Sequence, residues 1–315
     1  MFRYFIITVL LFTSIFADTF RYGIPVPKTP LYSGAYIGAV YNPYEYRNFI
    51  IDDLALLLYG DYNRYHILGE IEASDIPLTN VKKSDFRIYI ERLQLSWDKD
   101  EFSSITIGKF NSNAGFWNLT KLNTLTDTTS SPDLTETMFP ELTTGLLYNG
   151  TLYDETVTFS LTLQHNPNLD TQYNNLQVDR HYAITLDYLG YTYDSKFTIG
   201  YFREKNTTES FYAGIAYRQE TDYWTLQGEL FTKQSVDKPD IPYNGYFQVT
   251  RHFGLHHDLI FRQEFYKNNL TRIKEGISLV GYTYRPKTSV ALKTEYVRHS
   301  VLPVHHIIIS ASVIF

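Results

Sequence analysis

The 315-residue chain has no cysteine. That excludes a disulfide framework, thiolate-ligated zinc and lipid attachment through a thiol. Beyond the first 17 residues it also has no run of about 18 apolar residues, the length a bilayer-spanning helix needs. Such a chain can cross a membrane only as a closed β-barrel. Basic residues are few: 28 Lys and Arg stand against 34 Asp and Glu, a net charge of −6. No basic stripe is present, so nucleic acid is not an expected partner. The adjacent pairs His256–His257 and His305–His306 would point to opposite faces of a strand, which suits no chelate. No metal and no cofactor are expected.

Aromatic residues are abundant, with 28 Tyr and 21 Phe, while mean hydropathy is slightly negative. A chain both aromatic and wet suits a barrel that shows lipid on one face and water on the other. The opening "MFRYFIITVLLFTSIFA" has Arg3 before an apolar stretch and Ala17 before Asp18. It reads as a secretory signal over residues 1–17, leaving 18–315 with a net charge of about −7.

Period-two alternation dominates the remainder. In 156–165, Val157, Phe159, Leu161 and Leu163 alternate with Thr156, Thr158, Ser160, Thr162 and Gln164. One face is oily and the other small and polar, the pattern of a strand. Similar segments occupy 31–41, 49–59, 64–74, 85–97, 102–110, 143–152, 179–189, 195–203, 209–219, 223–233, 243–252, 257–267, 272–284, 288–298 and 305–315. Glu91 shares its parity with Leu93, Leu95 and Trp97, which calls for a bulge. The connections alternate between tight Asp-bearing turns such as "GDYN" and "DKDE" and longer polar loops. The expected fold is therefore all-β, a transmembrane antiparallel barrel of about sixteen strands, with fourteen or eighteen left open by one hairpin either way. A soluble sandwich also has regular period-two strands. It would leave the aromatic excess and the apolar ending "HHIIISASVIF" without a reason.

Three features give a resemblance to the bacterial outer-membrane porins. The last strand ends on Phe315, similar to the terminal pattern such barrels present to the outer-membrane barrel assembly machinery. "SSITIGKF" at 103–110 resembles the strand end that precedes the inserted loop in that family, and the long segment 111–142 follows it. The family's acidic loop-tip motif has only a poor echo in "PEL" at 140–142. The resemblance implies a lipid bilayer as surroundings, small hydrophilic solutes as cargo, passive diffusion, and a possible homotrimer in the outer membrane.

Sixteen strands leave a lumen wide enough for water. A connection of this length in a compact protein is functional or disordered, and the apolar Phe116, Trp117, Leu134, Met138 and Phe139 argue against disorder. Folded inward, segment 111–142 would form the constriction. Its charged residues are Lys121, Asp127, Asp133, Glu136 and Glu141, an acidic edge favouring cations. The wall candidates are Arg64, Arg92, Arg218, Arg262 and Lys293, with acids at Asp53, Glu70, Glu72, Asp187, Glu229, Glu264 and Glu295. The resemblance implies wall arginines opposite loop acids, with Arg64 and Arg92 nearest the loop's root. Cross-strand pairing among the wall charges is the simpler alternative.

Barrel enzymes and a non-conducting barrel, serving as adhesin or scaffold, are the other classes to weigh; the outer loops apart from 111–142 are short and leave the latter little surface for recognition. A phospholipase would need a His and Ser close together, and "QHNPN" at 164–168 has no nearby Ser. An omptin-type protease would need Asp–Asp and Asp–His pairs at tall loops. "HHD" at 256–258 imitates one but falls on a short turn. No catalytic residue is expected.

Overall fold

The computed structural model describes residues 23–43, 49–78, 87–120, 122–153, 156–169, 174–205, 208–236, 240–301 and 305–315. The expected signal segment 1–17 and Lys121 lie outside them. Sixteen antiparallel strands form the wall: β1 (Leu31–Tyr41), β2 (Phe49–Tyr62), β3 (Tyr65–Pro77), β4 (Arg87–Asp100), β5 (Ser103–Asn111), β6 (Leu142–Tyr153), β7 (Val157–Gln164) and β8 (Val178–Leu189). The second half holds β9 (Tyr193–Glu204), β10 (Glu209–Glu220), β11 (Trp224–Ser235), β12 (Ile241–Phe253), β13 (His257–Asn268), β14 (Ile273–Lys287), β15 (Val290–His299) and β16 (His305–Ile314). Each expected segment overlaps its strand, and no end differs by more than three residues.

Every strand pairs with its sequence neighbours, and β16 closes on β1 from Ile309 opposite Tyr41 to Ile314 opposite Tyr36. Phe315 continues the ladder: its N–H donates to Ala35 at 2.8 Å and its carbonyl accepts from Ala35 at 2.7 Å. A two-residue strand, Ile24–Pro25, adds to β1 at the same end. No helix among the described residues is long and apolar enough to cross a membrane. The sheet does the crossing, and closure leaves it no edge.

The faces follow from parity. On β2, Leu54, Leu56 and Leu58 are exposed outward, while Ala55 and Leu57 between them are buried inward. Aromatic side chains mark both ends of the outer face, with aliphatic residues between. On β8 the outward order is Tyr182, Ile184, Leu186, Tyr188. The terminal rings stack onto neighbours: Tyr182 on Tyr201 at 6.0 Å, and Tyr188 on Tyr193 at 5.3 Å, which stacks in turn on Tyr217 at 5.9 Å. Two aromatic belts around an apolar band are what two membrane interfaces select.

Two bulges re-aim acids. Between β3 and β4 the register shifts past Glu70–Arg92, leaving Glu91 as the extra residue. Its parity conflict is thereby removed. Between β1 and β2, Gly38 faces Asp53 and Ala39 faces Ile51, so Asp52 is the extra residue there.

Gly108 on β5 has φ +129°, and a Cβ there would lie 2.1 Å from the Leu93 carbonyl oxygen. Only glycine fits both the conformation and the approach. Gly108→Ala should cost about 1–3 kcal/mol. The expected readout is a lower midpoint for loss of the compact, heat-modifiable band on gel electrophoresis, and an unchanged midpoint would refute the strain.

Candidate pore constriction

Residues 112–141 connect β5 to β6 and lie against the inner wall. The segment holds a 3₁₀ turn at Trp117–Leu119 and one short helix, α1 (Asp133–Thr137). Five of its apolar residues are buried together: Ala114, Trp117, Leu134, Met138 and Phe139 pack with Val178, Phe202, Tyr212, Phe231, Ile241 and Tyr246 of the wall. Phe139 sits 5.0 Å from the Phe231 ring and 6.0 Å from Tyr212. This is a core inside a barrel, and hydrophobic burial is what holds the segment in.

Polar contacts fix its course. Glu229 Oε1 on β11 accepts from the backbone N–H groups of Phe116 (2.9 Å) and Trp117 (2.8 Å) and from the Tyr246 hydroxyl (2.8 Å). Gly115, at φ +69°, makes room: a Cβ there would lie 1.9 Å from Glu229 Oε2. Arg262 on β13 donates to Thr128 Oγ1 and the Ser130 carbonyl, both at 2.8 Å, and pairs with Glu264 at 2.8 Å. Lys293 on β15 donates to Asn123 Oδ1 (2.8 Å), Thr126 Oγ1 (2.9 Å) and the Thr128 carbonyl (3.1 Å). Glu295 accepts from the Ser130 hydroxyl at 2.7 Å, and Glu264 accepts from the Asp133 N–H at 2.9 Å.

The sequence-derived residues therefore separate into groups. Arg262, Lys293, Glu229, Glu264 and Glu295 hold the segment from beneath. Asp127 and Asp133 are turned to the wall as well. Asp127 accepts from Gln248 (3.0 Å) and Thr250 (2.7 Å), and Asp133 accepts from Asn244 (2.7 Å). Arg92 pairs with Glu70 across β3 and β4, and Asp187 pairs with Lys196 at 2.7 Å. Arg218 pairs with Asp194 at 3.1 Å and lies over the Phe116 ring at 5.1 Å. Arg64 departs from its expected wall position: it sits exposed in the turn between β2 and β3, donating to the Lys99 carbonyl. The wall arginines thus meet mainly wall carboxylates and loop carbonyls, and Arg285 also lies 3.9 Å from the loop acid Asp127.

Of the four loop acids, Glu136 and Glu141 line the main polar cavity, of about 500 Å³. Its other charged residues are Asp52, Asp53, Asp75 and Arg87, so five carboxyl groups share it with one guanidinium. Packing around Glu136 raises its carboxyl pKa, and the nearby Glu141 and Asp133 push the same way. Asp52, Asp75 and Arg87 were not singled out by alternation alone. For Asp52 a signal existed: "DD" in a lipid-crossing strand sends one acid to lipid unless a bulge intervenes. "HHD" falls on the short-turn side as expected. His256 faces the Arg285 carbonyl, His257 stacks on Tyr284 at 4.9 Å, and Asp258 is paired with His252 and Arg285. Among the described residues no cluster of three metal-ligating side chains occurs.

No family model matches the sequence, and no curated protein matches it. Solved structures do. An anion-selective porin from Comamonas acidovorans aligns with a TM-score of 0.65 at 8% identity, covering 90% of this chain and 99% of that one. The chain has the fold of the bacterial outer-membrane porins. Salmonella typhi OmpF, solved with daunomycin, gives 0.65 at 12% identity over 90% and 97% of the two chains. The trimer form of OmpT, an outer-membrane protein of Vibrio cholerae, gives 0.60 at 11% identity over 90% and 98%. The likeness is one of fold, and in this chain the described residues of 112–141 pack against the inner face of the barrel.

Glu229→Ala should free the root of that segment. Removing a charged acceptor from two backbone donors costs about 2 kcal/mol. Amide exchange at Phe116 and Trp117 should then speed up roughly thirtyfold. Exchange as slow as in the parent would mean that packing alone holds the root.

Proposed function

We propose that this protein is a porin: a water-filled passage for passive diffusion of small hydrophilic solutes and ions, mildly preferring cations. The observation that carries the reading is the five-to-one excess of carboxyl groups around the main cavity, beside a segment strapped inside a sixteen-stranded wall. A lumen of that size admits water, and acids lining it raise the local concentration of cations. The fold supports the channel class. It does not carry the sign of selectivity, since the similar Comamonas protein is an anion-selective one. The sign comes from this chain's own charges. A homotrimer is the assembly we favour, supported by the trimer form of the similar Vibrio protein. Insertion would proceed through the assembly machinery, with Phe315 at the end of its recognition strand. A channel is preferred to an enzyme because the His and Asp groups on the short turns are tied to Arg285 and Tyr282.

Single-channel recording in a planar bilayer, with a salt gradient, tests this directly. Stable steps with a reversal potential of cation sign are expected, and a folded protein without steps would overturn the channel reading. Glu136→Gln with Glu141→Gln should lower the cation-to-anion permeability ratio, each charge removed lowering the local cation concentration by about twofold and raising that of anions in the same proportion, the effect of a unit charge roughly 8 Å away in water. An unchanged ratio would remove these two residues from the passage.

Acidification supplies a second check. A carboxyl with a raised pKa takes up its proton while the pH is still above the ordinary carboxylate range. Cation preference should therefore begin to fade above that range as pH falls, as Glu136 takes up its proton. The Glu136→Gln protein should lose that early part of the decline, and a profile identical to the parent's would contradict the assignment.

A further inference from the structure

The outer face of a membrane barrel is an apolar band, and charge belongs there only at an interface. At the loop-side ends of β13, β14 and β15 that charge has one sign. Parity on β14 turns Lys274, Gly276, Ser278 and Val280 outward: Leu279 is fully buried, while Val280 is half-exposed. Lys274 lies directly opposite Lys267 of β13, and Ser278 directly opposite Arg298 of β15. These three cations are exposed, as is Arg272 in the adjoining connection. The acids of the same strands are all buried and committed elsewhere. Asp258 pairs with Arg285, Glu264 with Arg262 and Glu275 with His299, and Glu295 accepts from Ser130. The four outer cations therefore have no carboxyl partner among the described residues. Two lysines directly opposite on neighbouring strands repel one another unless an anion sits between them.

The surface between these cations departs from the apolar band as well. The Ser278 hydroxyl donates to Gln263 Oε1 at 2.6 Å, and the Gly276 N–H donates to the Ser300 hydroxyl at 2.8 Å. Gly276 leaves the backbone uncovered, and a Cβ there would meet nothing closer than 3.5 Å. The result is a shallow polar floor. Lys267 and Arg298 flank β14 from opposite sides, four residues out of step, so their Cα atoms are on the order of 15 Å apart. Long side chains close over a headgroup of that width. Toward the middle of the barrel, Phe261, Val280 and Tyr296 lie side by side across the three strands, each exposed on the outer face.

A free anion would use the cations and leave these three apolar side chains unmet. A second copy of the chain, meeting this surface with its own, would bring the same positive charges against them. An anionic lipid meets both parts. We infer that the loop-side outer face of β13–β15 docks a membrane lipid with a phosphate-monoester headgroup, its phosphate among Lys267, Lys274 and Arg298 and its chains along Phe261, Val280 and Tyr296. A phosphate monoester brings up to about two negative charges and three acceptor oxygens, which suits several cations around one polar floor. The inference needs the barrel to span a bilayer and does not need it to conduct.

The test is native mass spectrometry of the folded protein in detergent, mixed with equal amounts of phosphatidic acid and phosphatidylcholine of the same chain length. Adducts of phosphatidic acid should predominate. Lys267→Gln, Lys274→Gln and Arg298→Gln should each weaken its binding by about fivefold. Arg251→Gln should leave it unchanged, because Arg251 lies at the turn-side end of the outer face, over the rings of Tyr223, Trp224 and Phe253. Equal retention of the two lipids, or equal weakening by Arg251→Gln, overturns the inference in favour of general adhesion. Displacement of phosphatidic acid by an equal concentration of inorganic phosphate overturns it too, because the chains would then play no part. A parent that retains no phosphatidic acid, with a number of chains per particle that the three substitutions change, would give the surface to a second copy. The parent comparison of the two lipids requires no variant to fold.

Discussion

Inside a bilayer each backbone N–H and C=O must find its partner within the protein, and the pairing of β16 with β1 completes that set here. Every other feature depends on this closure. Once the sheet has no edge, alternate side chains must point into an enclosed space, and sixteen strands enclose more than those side chains can fill. The acidic wall exists because those inward positions escape the lipid. The segment 112–141 occupies the remaining space, and its apolar residues provide the dry contact that the polar wall could not make alone.

The wall was legible in the sequence because a strand's faces repeat every two residues and lipid enforces the repeat strictly. Val157 to Leu163 or Tyr182 to Tyr188 need no tertiary information to be sorted into faces. Where a bulge interrupts the repeat, an acid of lipid-facing parity was the trace it left, as at Glu91 and in the pair Asp52–Asp53. Arg64 was misplaced because the β2–β3 turn falls at 63–64, with Asn63 at φ +55°, and not at 60–63 as alternation suggested. The course of the inner segment was not legible in detail. Its contacts join residues more than a hundred positions apart, Phe116 with Glu229 and Ser130 with Arg262. Nothing local to "NAGFW" names Glu229, although Gly115 shows that something approaches the backbone closely.

The sequence also could not show how charges would be divided. Counted along the chain, wall cations and wall acids are nearly balanced, and a balanced wall carries little selectivity. The structure buries wall charges of both signs, and the charges it leaves around the main cavity are mostly acidic. Arg262 is 1% exposed and Lys293 is 3% exposed, each bonded to the inner segment. Arg285 is likewise occupied, donating to the Thr126 carbonyl at 2.7 Å and pairing with Asp258. These cations are bonded at short range to carbonyls, hydroxyls and carboxylates, and none of the three lines the main cavity. The acids there have a different fate: Asp52, Asp53, Asp75, Glu136 and Glu141 remain on the cavity surface. Strapping the segment to the wall therefore does two things at once. On the porin reading proposed above, it narrows the passage and engages Arg262, Lys293 and Arg285, so the contacts that set the width would also bear on the sign of the field.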